Sequence, residues 1–146
     1  MIDIQFKLID PLKHKEKVLS LIKQLNPEME LNTIEKRLTN MTKVPNYRCF
    51  ALFDNNNLIG ISSGWTTERI YCGKQLELDN VIIDSKIQSQ GFGKHFINSI
   101  KHWSITNGYS SIGLNTYVEN AKSHKFYFNQ GFKVLGFHFE YRLNQE

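Results

Sequence analysis

The segment Gln88-Ser89-Gln90-Gly91-Phe92-Gly93-Lys94 constrains this chain more than any other. It follows a strand-like run, Leu76 to Ile83, and opens an amphipathic stretch with Phe92, Phe96, Ile100 and Trp103 on one stripe. A turn that leads from a strand into a helix leaves the first helical amides without partners, and those amides suit an anion. Glycine at 91 and 93 removes the Cβ atoms that would hold a bulky phosphate away from the main chain. These residues point to a grip on a pyrophosphate. A dinucleotide fingerprint would need glycine where Phe96 stands, and a P-loop would need glycine at Gln88 and a hydroxyl at His95.

The rest of the chain reads as a mixed α/β domain spanning residues 1–146, with no repeats or linkers. Ile2 to Ile9 alternates as a half-buried strand. Pro11 opens a helix with Leu12, Val18, Leu19, Ile22 and Leu25 on one face. Asn26-Pro27 fits a cap and first-turn proline for a second helix bearing Leu31, Ile34, Leu38 and Met41, which Pro45 ends. Tyr47 to Phe53 and Leu58 to Trp65 flank the polar hairpin turn Asp54-Asn55-Asn56-Asn57. After the strand Leu76 to Ile83, a helix runs from Phe92 to Asn107 and Gly108 stops it. Ser110 to Tyr117 is a strand, and Asn120 to Gln130 a short helix with Asn120 as N-cap and Gly131 after its end. Phe132 to Leu135 and Phe137 to Leu143 alternate as two closing strands about Gly136.

A net charge of +4 is mild, and the lysines are scattered, so nucleic acid is not an expected partner. No apolar run approaches the roughly 20 residues that span a bilayer. The amino terminus does not read as a signal peptide. Cys49 and Cys72 have neither zinc spacing nor disulfide density, which predicts a reduced, cytoplasmic setting. No histidine pair has metal-ligand spacing with a supporting carboxylate, so no metal site is expected. A homodimer is compatible with the sequence but not dictated by it.

The remaining pattern, Gln88-x-x-Gly91-x-Gly93, resembles the acetyl-CoA-binding signature of the GCN5-related N-acetyltransferases (GNAT), where Gln or Arg starts the motif. Asn120-Ala121-Lys122-Ser123-His124-Lys125-Phe126-Tyr127-Phe128-Asn129-Gln130-Gly131-Phe132 resembles the family's second signature: an Asn, a Tyr seven residues on, then Gly-Phe. One helix and one strand lie between the two, as in that family. The resemblance covers about residues 76 to 135, the first half matching in element order only. It implies a three-layer fold: a central, mixed, mostly antiparallel sheet of about seven strands with about four flanking helices. It also implies acetyl transfer from acetyl-CoA to a primary amine of a small molecule or protein. A non-catalytic coenzyme A-binding module, or a fold for another nucleotide, are the alternatives.

The family's pattern assigns tasks by position. Main-chain amides of Gln88, Ser89, Gln90, Gly91, Phe92, Gly93 and Lys94 would hold the diphosphate, and Val81, Ile82 and Ile83 the pantetheine arm. Many relatives carry Arg where Gln90 stands; Lys94 can supply part of that charge or be a solvated helix lysine. An amine of pKa near 10.4 is neutral about once in 2,500 at pH 7, roughly 4.6 kcal/mol to recover, so a carboxylate base is needed. Glu77 sits where glutamate-using relatives place it, and Asp79 lies two residues on; both also fit an ordinary strand surface. With period two, Glu77, Asp79, Val81 and Ile83 share a side unless a bulge intervenes. A strand amide near Val81 to Ile82 would hold the thioester oxygen. Tyr127, with a pKa near 10 against about 8.5 for a thiolate, would serve the leaving sulfur first as a hydrogen-bond donor. Asn120 and Ser123 would approach the cofactor arm, Asn120 doubling as a helix cap, and Phe126 and Phe128 are expected in the core.

Overall fold

A computed structural model describes residues 2–144. The backbone divides into two compact units, Met1–Leu114 and Asn115–Glu146. The first holds a five-stranded sheet in sequential order, β1 (Ile4–Leu8), β2 (Tyr47–Asp54), β3 (Asn57–Arg69), β4 (Gly73–Ile83) and β5 (Ser111–Leu114). Three helices accompany it: α1 (Lys15–Leu25, after a 3-10 turn at Pro11–His14), α2 (Leu31–Thr42) and α3 (Phe92–Thr106). The second unit carries α4 (Ala121–Asn129).

The first four strands pair antiparallel and β5 joins β4 in parallel. Alternation sends the two faces of the sheet to different partners. Ala51, Phe53, Ile61 and Ile82 meet Val18, Leu21, Ile22, Ile34 and Leu38 of α1 and α2 in one core. On the other face Phe50 stacks on Phe6 with ring centroids 5.8 Å apart and meets Trp103 of α3 edge-on at 4.8 Å, while Phe96 contacts Phe6. Gly64 is required by this second face, because a Cβ there would lie 2.5 Å from the Phe50 ring and 3.0 Å from Leu76 Cδ1. The mixed α/β class is the expected one, and the order of elements through α4 is that read from the sequence.

Four details differ from expectation. Asn26 closes α1, its amide donating to Ile22 O at 3.1 Å, and α2 starts only after Glu30; Asn26-Pro27 therefore caps nothing downstream. α2 ends at Thr42 with Lys43 as its C-cap, three residues before Pro45. Phe128 is exposed and Phe126 only half-buried, so neither lies in the core as expected; α4 contains no buried residue. The sheet has five strands, not about seven: Phe132 to Leu135 and Phe137 to Leu143 join no ladder among the described residues, although their alternation is that of strands. A strand needs a partner edge as well as an alternating sequence, and the ladder ends at β5.

Asp84 ties the end of β4 to α1. It is 5% exposed; its carboxylate accepts from Lys17 Nζ at 2.5 Å, from Gln24 Nε2 at 3.2 Å and from the amide of Lys86 at 3.2 Å. Gln24 Oε1 in turn accepts from the amide of Ser85 at 2.9 Å. The Lys17 ammonium, hydrogen-bonded to it, holds the Asp84 carboxyl below the usual carboxylate range against the opposing effect of burial. A lowered folded-state pKa makes this contribution complete above about pH 4 and lost as pH falls through the folded value. Asp84→Asn is expected to lower stability at pH 7 by about 1 kcal/mol, half-exposed Lys17 tempering the effect. It should also flatten the acid limb of the stability–pH curve, measured by urea unfolding from pH 2 to 7; parallel curves for the two proteins would remove Asp84 from this role.

Candidate active site

Strand β4 is paired with β3 along nearly its whole length but with β5 over four residues only, Gln75↔Ser111 to Leu78↔Leu114. From Asp79 to Ile83 its other edge carries no ladder among the described residues. Main-chain N–H and C=O groups along such an edge are free to bond an extended, amide-bearing ligand as a further strand would. The pairing with β3 is also interrupted here. Ser63 opposes Asp79 and Ile61 opposes Ile82, so Asn80 and Val81 together face Ser62 alone. Asn80 supplies the left-handed conformation this bulge uses, with φ of 51°.

The bulge corrects the simple period-two reading. Asp79 and Ile82, three apart, share the face of Ser63 and Ile61, whereas Ile83 opposes Gly60 on the face toward α3. Val81 is half-buried and Ile82 buried among α1 and α2. Glu77, Asp79, Val81 and Ile83 thus do not form one row; only Glu77 and Asp79 do, because one extra residue reverses the alternation beyond them.

After Asp84 and a 3-10 turn at Ser85–Ile87, the chain enters the glycine segment. Gln88 Nε2 donates to Ile83 O at 3.1 Å, holding the loop to the end of β4. Ser89 (φ 66°) and Gly91 (φ 84°) are both left-handed, and Gly91 is the residue immediately before α3. Successive amides turned this way around a helix amino terminus form a concave anion site. The first bond into the helix comes from His95 N to Gly91 O at 3.1 Å, so the amides before it are spare. No atom lies within 4 Å of where a Cβ on Gly91 would stand, which leaves room for a phosphate group. Gln88, Ser89, Gln90 and Lys94 are exposed; Phe92 and Gly93 are half-buried as the helix begins. The open strand edge followed by this amide cradle fits a pantetheine arm ending in a diphosphate.

The face of the sheet shared with α1 and α2 becomes polar toward one end. Cross-strand register lines up Cys49, Ser63 and Asp79, and beside them Tyr47, Trp65, Glu77 and Gly113. The rings of Tyr47 and Trp65 lie 5.1 Å apart. The Glu77 carboxylate covers Gly113: a Cβ there would stand 2.7 Å from Glu77 Oε2. Tyr47 is 8% exposed, yet its hydroxyl, like those of Thr67 and Ser111 on the same face, has no hydrogen-bond partner of good geometry. Burial, and secondarily Cys49 beside it, push the Tyr47 phenol well above its ordinary pKa. Burial likewise raises the Cys49 thiol to about 11, so it is a thiol and not a nucleophile. Tyr47, Ser63 and Trp65 were not singled out from the sequence. The available signal was polar residues on both faces of a central strand, Ser62-Ser63-Gly64-Trp65-Thr66-Thr67.

Within the second unit, the reason for the Gly131-Phe132 pair is local. Gly131 (φ 88°) ends α4, its amide donating to Phe128 O and that of Phe132 to Tyr127 O, both at 3.0 Å. This closure places the Phe132 ring 5.4 Å from the Tyr127 ring, while Phe126 flanks it at 5.1 Å. The two rings fix the phenol's orientation, and burial raises its pKa to about 12. At the other end Asn120 Oδ1 accepts from the amide of Ser123 at 3.2 Å as the N-cap. His124 Nε2 lies 2.8 Å from Tyr117 O, which engages it away from Tyr127. Asn120, Ser123 and Tyr127 therefore come together on one short helix.

Three comparisons bear on this arrangement. A family model described as the Acetyltransferase (GNAT) family matches residues 16–132. An uncharacterized N-acetyltransferase, YhdJ of Bacillus subtilis, is 22% identical over 120 residues, covering 82% of this chain and 84% of that protein. In fold, the chain is similar to the aminoglycoside N-acetyltransferase AAC(6')-Iy in complex with CoA (TM-score 0.81, 18% identity, 97% of this chain and 95% of that one). It is also similar to glucosamine-6-phosphate N-acetyltransferase from Arabidopsis thaliana (TM-score 0.72, 14% identity, 97% and 99%). With a family match across most of its length, and a strand edge and amide cradle suited to coenzyme A, the chain belongs to the GNAT family and is an acetyl-CoA-dependent N-acetyltransferase.

Proposed function

We propose that the acceptor is a primary amine on a small, cationic molecule and that it enters over the polar end of the α1/α2 face. The observation that carries this reading is that Tyr47, Trp65 and Glu77 line up in one cross-strand row, with Asp79 in the next row of the same face. Two carboxylates attract a cation, and paired aromatic rings offer it a second, sequence-independent form of recognition. Orphaned hydroxyls at Tyr47, Thr67 and Ser111 suit a ligand that brings its own hydrogen-bonding groups. Likeness in fold to aminoglycoside acetyltransferases supports the same substrate class. Cys49 and Cys72, both free, support a cytoplasmic setting, and no helix among the described residues is long and apolar enough to cross a membrane.

Acetyl-CoA supplies the activated acyl group as a thioester; the chain's own groups do the rest. The amides from Gln88 to Lys94 bind the diphosphate, and the open edge of β4 at Val81, Ile82 and Ile83 orients the arm. Unpaired main chain at the Asn80–Val81 bulge offers the N–H that stabilises charge on the acyl oxygen. Glu77 takes the amine proton, with Asp79 as the neighbouring carboxylate that holds a second positive charge. Tyr127 donates a hydrogen bond to the leaving sulfur. Its pKa near 12 makes early proton loss unfavourable, so the phenol supports the departing group before it protonates it. In the same reading Asn120 and Ser123, at the start of α4, contribute to binding the cofactor. All 146 residues are read as one catalytic domain.

A panel of diamines, aminosugars, amino acids and lysine peptides, followed by thiol release, tests the substrate class: turnover is expected on polycationic small molecules, and turnover confined to peptides would refute it. With the best amine, Glu77→Gln is expected to lower kcat about 100-fold and abolish the acidic limb of the pH–rate profile. Asp79→Asn should raise KM for dicationic acceptors and leave that limb in place; the reverse pattern would exchange the two roles. Tyr127→Phe should reduce kcat 10- to 100-fold, an order-of-magnitude expectation, with unchanged affinity for acetyl-CoA by calorimetry. An unaltered rate would make Tyr127 a packing residue.

A further inference from the structure

Gly113 is not held to glycine by its backbone. Its φ is not positive, unlike those of Gly73, Gly91, Gly108 and Gly131, so a side chain would not strain the chain there. It lies inside the four-residue strand β5, where glycine forfeits both packing and chain entropy. Gly60 and Gly64 in β3 also have ordinary φ, but core packing requires them: their Cβ atoms would stand 2.6 Å from Ile83 Cδ1 and 2.5 Å from the Phe50 ring. At Gly113 the atoms met are instead the polar ends of two β4 side chains, Glu77 Oε2 at 2.7 Å and Gln75 Nε2 at 3.0 Å. Both are the far ends of flexible chains, so the glycine preserves the position of these groups rather than the fold.

Strand register brings the two groups together. Gln75 and Glu77, two apart on β4, share a side of the sheet, and Glu77 stands between Trp65 of β3 and Gly113 of β5. It has an indole on one flank and no side chain on the other, and its carboxylate lies toward the latter. That is also the side on which β4 loses its partner after Leu78, the edge along which the cofactor arm is proposed to run. A carboxylate in this notch is beside the thioester of that reading, with the Gln75 carboxamide closing it in from the next row. A methyl group at 113 would have to push the carboxylate oxygen out to an ordinary contact of about 3.5 Å, a movement on the order of 1 Å. Misplacing a reacting group by about 1 Å can cost roughly 100-fold in rate.

We propose that Gly113 is a positioning residue for acetyl transfer: its missing side chain leaves the notch that, together with Gln75, holds the Glu77 carboxylate where it takes the amine proton. The inference rests on Glu77 as the base, and a double-mutant cycle on the full chain separates the two claims. Gly113→Ala is expected to lower kcat about 10- to 100-fold, with Tm and the calorimetric affinity for acetyl-CoA unchanged. In the Glu77→Gln background, itself impaired, adding Gly113→Ala should change kcat by less than about twofold, because the methyl acts only through the carboxylate. An unaltered kcat in Gly113→Ala, or equal losses in both backgrounds, would overturn the positioning role and leave the base in place. Full activity of Glu77→Gln would instead remove the base, and the positioning role with it. Should Gly113→Ala not fold, Gln75→Ala decides, since it opens the notch from its other side. Its loss of kcat should likewise vanish in the Glu77→Gln background, and full activity of Gln75→Ala, or an equal loss in both backgrounds, would overturn the proposal.

Discussion

The incomplete pairing of β4 governs the rest of this molecule. A strand in the middle of a sheet normally spends its main-chain groups on two neighbours, yet β4 gives its far half to β3 alone. That leaves a short row of donors and acceptors which only an extended, peptide-like ligand can use well. The bulge at Asn80–Val81 adds a second break at the same level, on the other edge. Acyl-group chemistry needs donors that are already oriented before substrate arrives, and a strand anchored on one side provides them at little reorganisation cost.

Anchoring is the complementary requirement, and it is met from two directions. Buried Leu76 and Leu78 hold the paired half of β4 toward α3, while Ile82 is buried among α1 and α2. Asp84 then fixes the point where the strand ends, through Lys17 and Gln24 of α1. The amide cradle at Gly91 follows within a few residues, so strand edge and cradle are set by the same short stretch of chain. The carboxylates proposed for catalysis, Glu77 and Asp79 on β4, share this rigidity, which is what positioning a base within hydrogen-bond reach of an amine demands.

Local chemistry made much of this legible. The left-handed glycines at 91, 108 and 131 mark one helix start and two helix ends, because φ values of 78–88° are readily reached only without a side chain. Gly108 ends α3 by the same closure that ends α4: the amide of Tyr109 donates to Ser104 O at 3.0 Å. Asn120 as N-cap and the alternating sequence of β1 are likewise short-range patterns. Where reading along the chain went astray, a distant partner decided the matter. Asn26-Pro27 has the composition of a helix start but closes α1 instead, and Phe137 to Leu143 has a strand's pattern without a partner edge in its ladder.

The sequence by itself determined the order of elements, the glycine turn before α3 and the phenol-bearing helix α4, since each rests on contacts within a few residues. Only the tertiary structure decided that β4 is bulged at Asn80, that Asp84 is clasped by α1, and that Tyr47, Ser63 and Trp65 share a face with Glu77 and Asp79. Those facts depend on strand register, and register is fixed by burial of side chains far apart in the chain, where a one-residue slip would turn every carboxylate to the opposite face.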